Sequence, residues 1–485
     1  MKEKKHLSRR DFLKMSSLAV AGTVIASCTP AATNAPISST SPPVQATATT
    51  APVALATITP TKGQPITLSF TFWGSTNEVN AMRATAQKFT AANPNINIDV
   101  QNFANDPVYT QKLTTMIAGG TSPDIAYLSN AETLATQGLL LDLRPYVDAD
   151  PVMKTYMPQL RVYYGGILSG VGIGNEFMML YYDKAAFAKE GIEPPPADPT
   201  KAWDIHKYID VAKQMTKDSN GRNALDKNFD PNSITTYGMT FPWSTWGTPF
   251  RLGYSNGGRV TSDDGLKLTM DSPEMIEAWQ TLQDMVYVHH CSPTVSVLAN
   301  SNLVSPKLME NGLIVMDYGG HWEFIDYSQT KVDLGCAVIP YFKTPFNVHS
   351  GLAPGVFKTT KYPDQSLAWY GYLADPAQCD LYKQGLWAPA ASGFYTDPTM
   401  ADQWLKGKPG VYPDEAKTVI MEFVYKYSPI KDTTYTIKGV NKINSELLNP
   451  ALSAVKANEK TAEQALKEAV AKSPSYMQGV WPNLK

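Results

Sequence analysis

Between Leu68 and Val100 the apolar residues change period twice, and that change fixes the kind of fold the chain can adopt. Leu68, Phe70 and Phe72 alternate with Ser69 and Thr71, the period of a strand, until Trp73-Gly74-Ser75 breaks it. Thr76 and Asn77 then offer a helix cap, and Val79, Met82, Ala86 and Phe89 recur at helical spacing up to Asn93-Pro94. Ile96, Ile98 and Val100 restore the strand period. Strand, helix and strand in such close succession predict a parallel unit, and units of this type bind ligands beyond the carboxyl ends of their strands. Trp73 stands at that end. A second helix is predicted from Pro107 to Ala118, leading through Gly119-Gly120 to a strand over Asp124 to Leu128.

At 485 residues the chain exceeds what one hydrophobic core organises, so two domains or two lobes are expected. Its first residues read as an address. Ser8-Arg9-Arg10-Asp11-Phe12-Leu13-Lys14 precedes an apolar stretch from Leu18 to Ala26 that is too short to span a bilayer, with its basic flank on the N-terminal side. The paired arginines resemble a twin-arginine export signal, and Ile25-Ala26-Ser27-Cys28 resembles the lipobox of bacterial lipoproteins. These resemblances imply a signal peptide over 1–27 and acylation of Cys28, which would anchor the protein to the membrane. Residues 28–64 are dominated by Thr, Ala, Pro and Ser and predict an extended tether.

Without residues 1–27 the chain carries 36 basic and 42 acidic side chains, a net charge of −6. A mildly acidic body with no basic stripe excludes nucleic acid as a partner. Cys291, Cys336 and Cys379 remain after Cys28; no spacing matches a zinc site, and buried thiols are expected, with one disulfide allowed. His289-His290-Cys291 follows an apolar helical stretch and reads as a helix end, because adjacent side chains diverge and do not share a metal. Gly170-Val-Gly-Ile-Gly174 lacks the Gly-x-Gly-x-x-Gly spacing, and no phosphate-binding loop with Lys and Ser/Thr occurs. No cofactor and no metal is expected.

The 10 tryptophans and 25 tyrosines are the most informative side chains. Most tyrosines are expected in cores. Trp73, Trp243, Trp246 and Trp322 instead lie among Gly, Ser, Thr or Pro, which predicts loops, where function concentrates. An indole offers a flat apolar face to a sugar ring and an N–H to its rim.

Several segments taken in order resemble the family-1 extracellular solute-binding proteins, the group that includes maltose-binding protein. They are Phe89 to Ile98, Tyr109-Thr-Gln-Lys-Leu113, Ile117-Ala-Gly-Gly120, Pro123-Asp-Ile125, Leu180-Tyr-Tyr-Asp-Lys184, Asn256-Gly-Gly258 and Gly312 to Met316 leading to Gly319-Gly-His-Trp322. The resemblance covers nearly all of Pro65 to Met477. It implies an α/β fold of the two-lobed, type II periplasmic-binding-protein (Venus-flytrap) kind, with interleaved crossovers. Lobe one would comprise 65–172 plus 345–385, and lobe two 176–340 plus 390–485. Gly170 to Gly174 departs from the usual Gly-hydrophobic-Pro before the crossover, which suggests a mobile first hinge, and Asp218 to Thr236 aligns with nothing in the family.

By the same resemblance, Trp322 falls where relatives stack a sugar ring, Trp73 and Asn77 fall in the cleft loop, and Glu176 falls on the crossover where an acidic group bonds sugar hydroxyls. Asn130, just past the strand ending at Leu128, is a further hydroxyl partner by its chemistry. The implied function is a monomeric, membrane-anchored binding protein outside the cell, one that captures a sugar or oligosaccharide for the permease subunits of an ABC importer. Two alternatives stay open at this level: a surface glycosidase, which needs a carboxylate pair that no local motif identifies, and a binding module that signals to a membrane sensor.

Overall fold

The computed structural model of the protein describes residues 64–103, 108–244, 247–429 and 436–482. The expected export segment, Cys28, the expected tether apart from residue 64, and Trp246 lie outside the described residues. The first unit forms as β1 (Ile66–Trp73), α1 (Thr76–Ala92) and β2 (Ile96–Phe103). β1 and β2 pair in parallel, from Ile66 opposite Ile96 to Trp73 opposite Phe103. Leu68, Phe70 and Phe72 are buried, as are Val79, Met82, Ala86 and Phe89 of α1, so the two periods read in the sequence make one core.

After α2 (Val108–Ala118), β3 (Ile125–Ala126) adds to the other edge of β1. It is shorter than the expected strand from Asp124 to Leu128. Asp124 explains its start: the carboxylate accepts from Ser69 N–H at 2.8 Å, Ser69 Oγ at 2.9 Å and Thr360 Oγ1 at 2.6 Å, so side-chain bonds replace part of the ladder there.

The chain continues through a hairpin of β4 (Arg161–Tyr164) and β5 (Ile167–Val171), then β6 (Gly174–Glu176), β7 (Met178–Asp183), β8 (Lys217–Asp218), β9 (Ile234–Thr240), α3 (Pro273–Tyr287), β10 (Ile314–Gly320), α4 (Phe324–Tyr327), β11 (Leu334–Ala337), β12 (Ser350–Leu352), β13 (Gly355–Val356) and α5 (Pro363–Ala374), with further helical segments between and after them. Two main sheets result, ordered β13-β3-β1-β2 and β11-β7-β10-β9-β8. β6 and β12 form a separate antiparallel ribbon, with Ser350 opposite Glu176. The chain enters the second sheet through β6 and returns to the first through β12.

The glycines before β7 serve close packing. A Cβ on Gly172 would lie 3.2 Å from the Gly351 Cα, and one on Gly174 would lie 3.0 Å from the Trp387 ring. The segment from Asp218 to Thr236 is organised by Asp218, whose carboxylate accepts from the backbone N–H groups of Asn220, Arg222 and Asp230 at 2.8, 3.0 and 3.1 Å. Cys291, Cys336 and Cys379 are buried free thiols, so the allowed disulfide does not form. Among the described residues no helix is long and apolar enough to cross a membrane.

Candidate functional site

At the carboxyl end of β1 the strand gives way to α1 within two residues. Trp73 is half-buried there, its ring packed edge-on against Tyr109 at 4.9 Å and Tyr127 at 5.2 Å. Ser75 caps α1 by accepting from Glu78 N–H, while Ser75 N–H donates to Glu78 Oε2 at 2.7 Å. That carboxylate lies against Gly74, where a Cβ would sit 2.2 Å from Glu78 Oε2. Gly74 is thus required by the glutamate that closes the capping box.

The same helix start meets α4. Asp326 Oδ1 accepts from Ser75 Oγ at 3.1 Å and from Asn77 Nδ2 at 2.7 Å, which joins positions 249 residues apart in the second case. α4 follows the turn His321–Glu323 that carries Trp322. The predicted glycine pair has a physical reason here. A Cβ on Gly320 would sit 2.1 Å from a Trp322 ring carbon, so the indole lies where only a glycine leaves room. Trp322 is half-buried.

The electrostatics of this junction are acidic. Burial pushes the Glu78 carboxyl up to about 8, against the lowering effect of Ser75 N–H, and the carboxylates of Asp326 and Glu176 add to the rise. Glu176, at the end of β6, is therefore close enough to Glu78 to influence it. Behind α4, Asp317 and Glu323 form a buried carboxyl pair. Burial pushes Asp317 up to about 6 and Glu323 well above the usual carboxyl range, while Tyr327 Oη donates to Asp317 at 3.0 Å and Gly320 N–H to Glu323 at 3.1 Å. Glu323 thereby closes the turn that carries Trp322 onto the end of β10.

Among the other expected residues, Asn130 and Trp243 have surroundings of their own. Asn130 precedes the helical turn Ala131–Thr136, and its buried Oδ1 has no hydrogen-bond partner among the described residues. Trp243, just past β9, is half-buried beside Phe241 at 5.0 Å. Trp246 lies outside the described residues.

Glu78, Glu132 and Asp326 were not singled out by sequence. Glu132 is 7% exposed, and its Oε1 accepts from Gly439 N–H at 2.6 Å and from Trp481 Nε1 at 2.9 Å. The Ser-x-x-Glu spacing of Ser75 and Glu78 is a capping-box signal that could have found Glu78; no local signal marks the other two.

The end of the first parallel unit thus brings together an indole on β1, a capping serine and an amide, the last two bonded to Asp326 of α4. Residues 84–407 match the model of the bacterial extracellular solute-binding proteins. The chain belongs to this family. The solute-binding proteins are ligand-binding components of transporters, not enzymes. A protein of Brucella abortus (strain 2308) named only as a binding protein is 23% identical over 290 residues; the alignment covers 58% of this chain and 64% of that relative's length. Among solved structures, an ABC substrate-binding protein of Listeria monocytogenes in complex with cycloalternan is 22% identical with a TM-score of 0.70, covering 85% of this chain and 99% of that one. The maltose/maltodextrin-binding domain MalE of Bdellovibrio bacteriovorus, bound to maltotriose, is 18% identical with a TM-score of 0.66, covering 84% and 99%. The fold of this solute-binding protein is accordingly the two-lobed α/β arrangement of periplasmic binding proteins.

Proposed function

We propose that this chain captures a sugar or oligosaccharide between its two lobes and delivers it to the permease subunits of an ABC importer. The observation that carries the reading is the contact of Asp326 with Ser75 and Asn77, which joins the start of α1 to the turn of Trp322, with Trp73 at the adjoining strand end. Indole faces and paired carboxylate and amide groups suit a hydroxyl-rich ring, because each sugar hydroxyl buried without a partner costs about 1–3 kcal/mol. Solved proteins of the same fold hold cycloalternan and maltotriose, which supports the ligand class.

In this reading lobe one comprises 65–172 plus 345–385 and lobe two 176–340 plus 390–485. Ligand bridges Trp73, Asn77 and Asn130 of lobe one and Trp243, Trp246 and Trp322 of lobe two, with Glu176 at the crossover between them. Binding favours the closed state because only that state makes both sets of contacts. Residues 1–27 direct export, acylated Cys28 anchors the protein to the outer face of the membrane, and the tether lifts it clear.

Calorimetric titration with mono-, di- and oligosaccharides tests the ligand class, with polyamines, peptides and ferric iron as controls. A sugar is expected to bind and to lose roughly tenfold or more in affinity in Trp322→Ala, the loss of a stacked ring and its buried area. Binding of a control solute in place of every sugar would remove the carbohydrate reading.

A further inference from the structure

The ribbon of β6 and β12 has two faces. Successive residues of a strand point to opposite sides, and the charge of Glu176 acts on Glu78 at the start of α1. Its neighbour Asn175 points the other way, where it meets His349 and Tyr395. On that reverse face lies a cavity of about 400 Å³, within the size range of small-ligand pockets.

Its walls come from parts of the chain far apart in sequence: the stretch 155–159 before β4, His349 beside the ribbon, Ser392, and Tyr425 and Ser428 beyond the helical turn Val419–Val424. None of the lining side chains is a carboxylate, lysine or arginine. His349 is 2% exposed and burial lowers its pKa to about 4, so it too is neutral at physiological pH.

The polar groups are held in fixed roles. Asn175 Nδ2 donates to Tyr395 Oη at 2.9 Å, and Tyr395 Oη donates to Pro389 O at 2.7 Å. That orientation turns Asn175 Oδ1 toward His349 Nδ1 at 3.2 Å, so the neutral ring carries its proton on Nδ1 and keeps Nε2 as an acceptor. Gln159 Oε1 is buried without a hydrogen-bond partner among the described residues. Tyr425 is braced by stacking on Tyr395, with centroids 5.8 Å apart and planes 15° from parallel. An unpartnered acceptor on Gln159, an acceptor nitrogen on His349, a braced aromatic ring and a wall without charged side chains suit a neutral, hydroxyl-bearing molecule.

We propose that this cavity is a second binding site, separate from the one between Trp73 and Trp322, for a small neutral polyhydroxylated molecule of about monosaccharide size. It stands on its own residues and does not depend on what the first site binds.

Hydrogen–deuterium exchange on the full-length chain carrying Trp322→Ala separates the two sites. The probes are myo-inositol and D-glucose at millimolar concentrations, with glucosamine and gluconate as charged counterparts. Saturable slowing of exchange is expected in segments 155–160 and 424–429, with the charged probes roughly tenfold weaker because their charge has no partner in the cavity. Ser428→Phe fills the space and is expected to abolish the slowing; Gln159→Leu keeps the shape, removes the acceptor and is expected to weaken it roughly fivefold or more. Absence of saturable slowing there with both neutral probes, equal slowing by the charged ones, or indifference to Gln159→Leu in a protein of unchanged melting temperature would overturn the proposal. Slowing confined to 73–78 and 320–326 would report the first site alone, leaving the proposed function standing and this inference refuted.

Discussion

Gly320 and Trp322 form one unit, since the indole occupies the space a Cβ would take 2.1 Å from its ring. Gly320→Ala is expected to displace the ring, lower sugar affinity as Trp322→Ala does, and cost about 1–3 kcal/mol of stability by overpacking, read from urea unfolding alongside titration. Glu78 makes a different prediction. It keeps its proton in the native protein up to about 8, whereas an unfolded glutamate loses it near 4.5, so the native state binds more protons between those values. Its contribution to stability is full below about 4.5 and is lost as pH rises through about 8. The melting temperature of the wild type is therefore expected to fall over that window relative to Glu78→Gln, which keeps a neutral side chain beside Asp326 and Glu176. A parallel pH dependence in the two proteins would place the titration elsewhere, for instance at Asp317.

Among the elements, the irregular segment around Trp481 acts as a strap. Trp481 N–H donates to Thr436 O at 2.8 Å, its indole N–H reaches Glu132 at 2.9 Å, and its ring packs edge-on against Tyr164 at 6.0 Å. Glu132 is otherwise served by Gly439 N–H, so losing the indole leaves a buried carboxylate with one donor fewer. Trp481→Ala is expected to destabilise by about 2 kcal/mol or more, and Trp481→Phe by less, because it restores ring packing without the N–H. Chemical unfolding of both variants separates the hydrogen bond from the packing. Element order was legible over β1, α1 and β2, where period and breakers agree. β3 came out shorter because the Asp124 carboxylate takes donors from Ser69 and Thr360, and a competition with position 360 leaves no mark on the local pattern.

For the molecule as a whole, Asp326 is the tie between the loop after β1 and the turn after β10. With ligand absent, Asp326→Ala is expected to have a larger radius of gyration than the wild type by small-angle X-ray scattering, and saturating sugar is expected to bring the two together. Equal radii without ligand would mean that the tie does not hold the molecule closed.

Local chemistry made the strand end at Trp73 and the start of α1 visible in the sequence, because strand breaks and caps are short-range events. The cap is Ser75 rather than the expected Thr76 or Asn77, since Ser75 has the extended backbone a cap needs and Thr76 is already helical. The parallel unit and the burial of Cys291 rested on the same short-range logic. The tertiary structure alone decided that Asp326 meets Asn77, that Glu132 receives Gly439 and Trp481, and that Glu78 is buried deeply enough to hold a proton. Those facts join residues that are hundreds of positions apart, and a carboxylate's partner and protonation depend on what the fold brings within a few ångströms of it, which spacing along the chain does not encode.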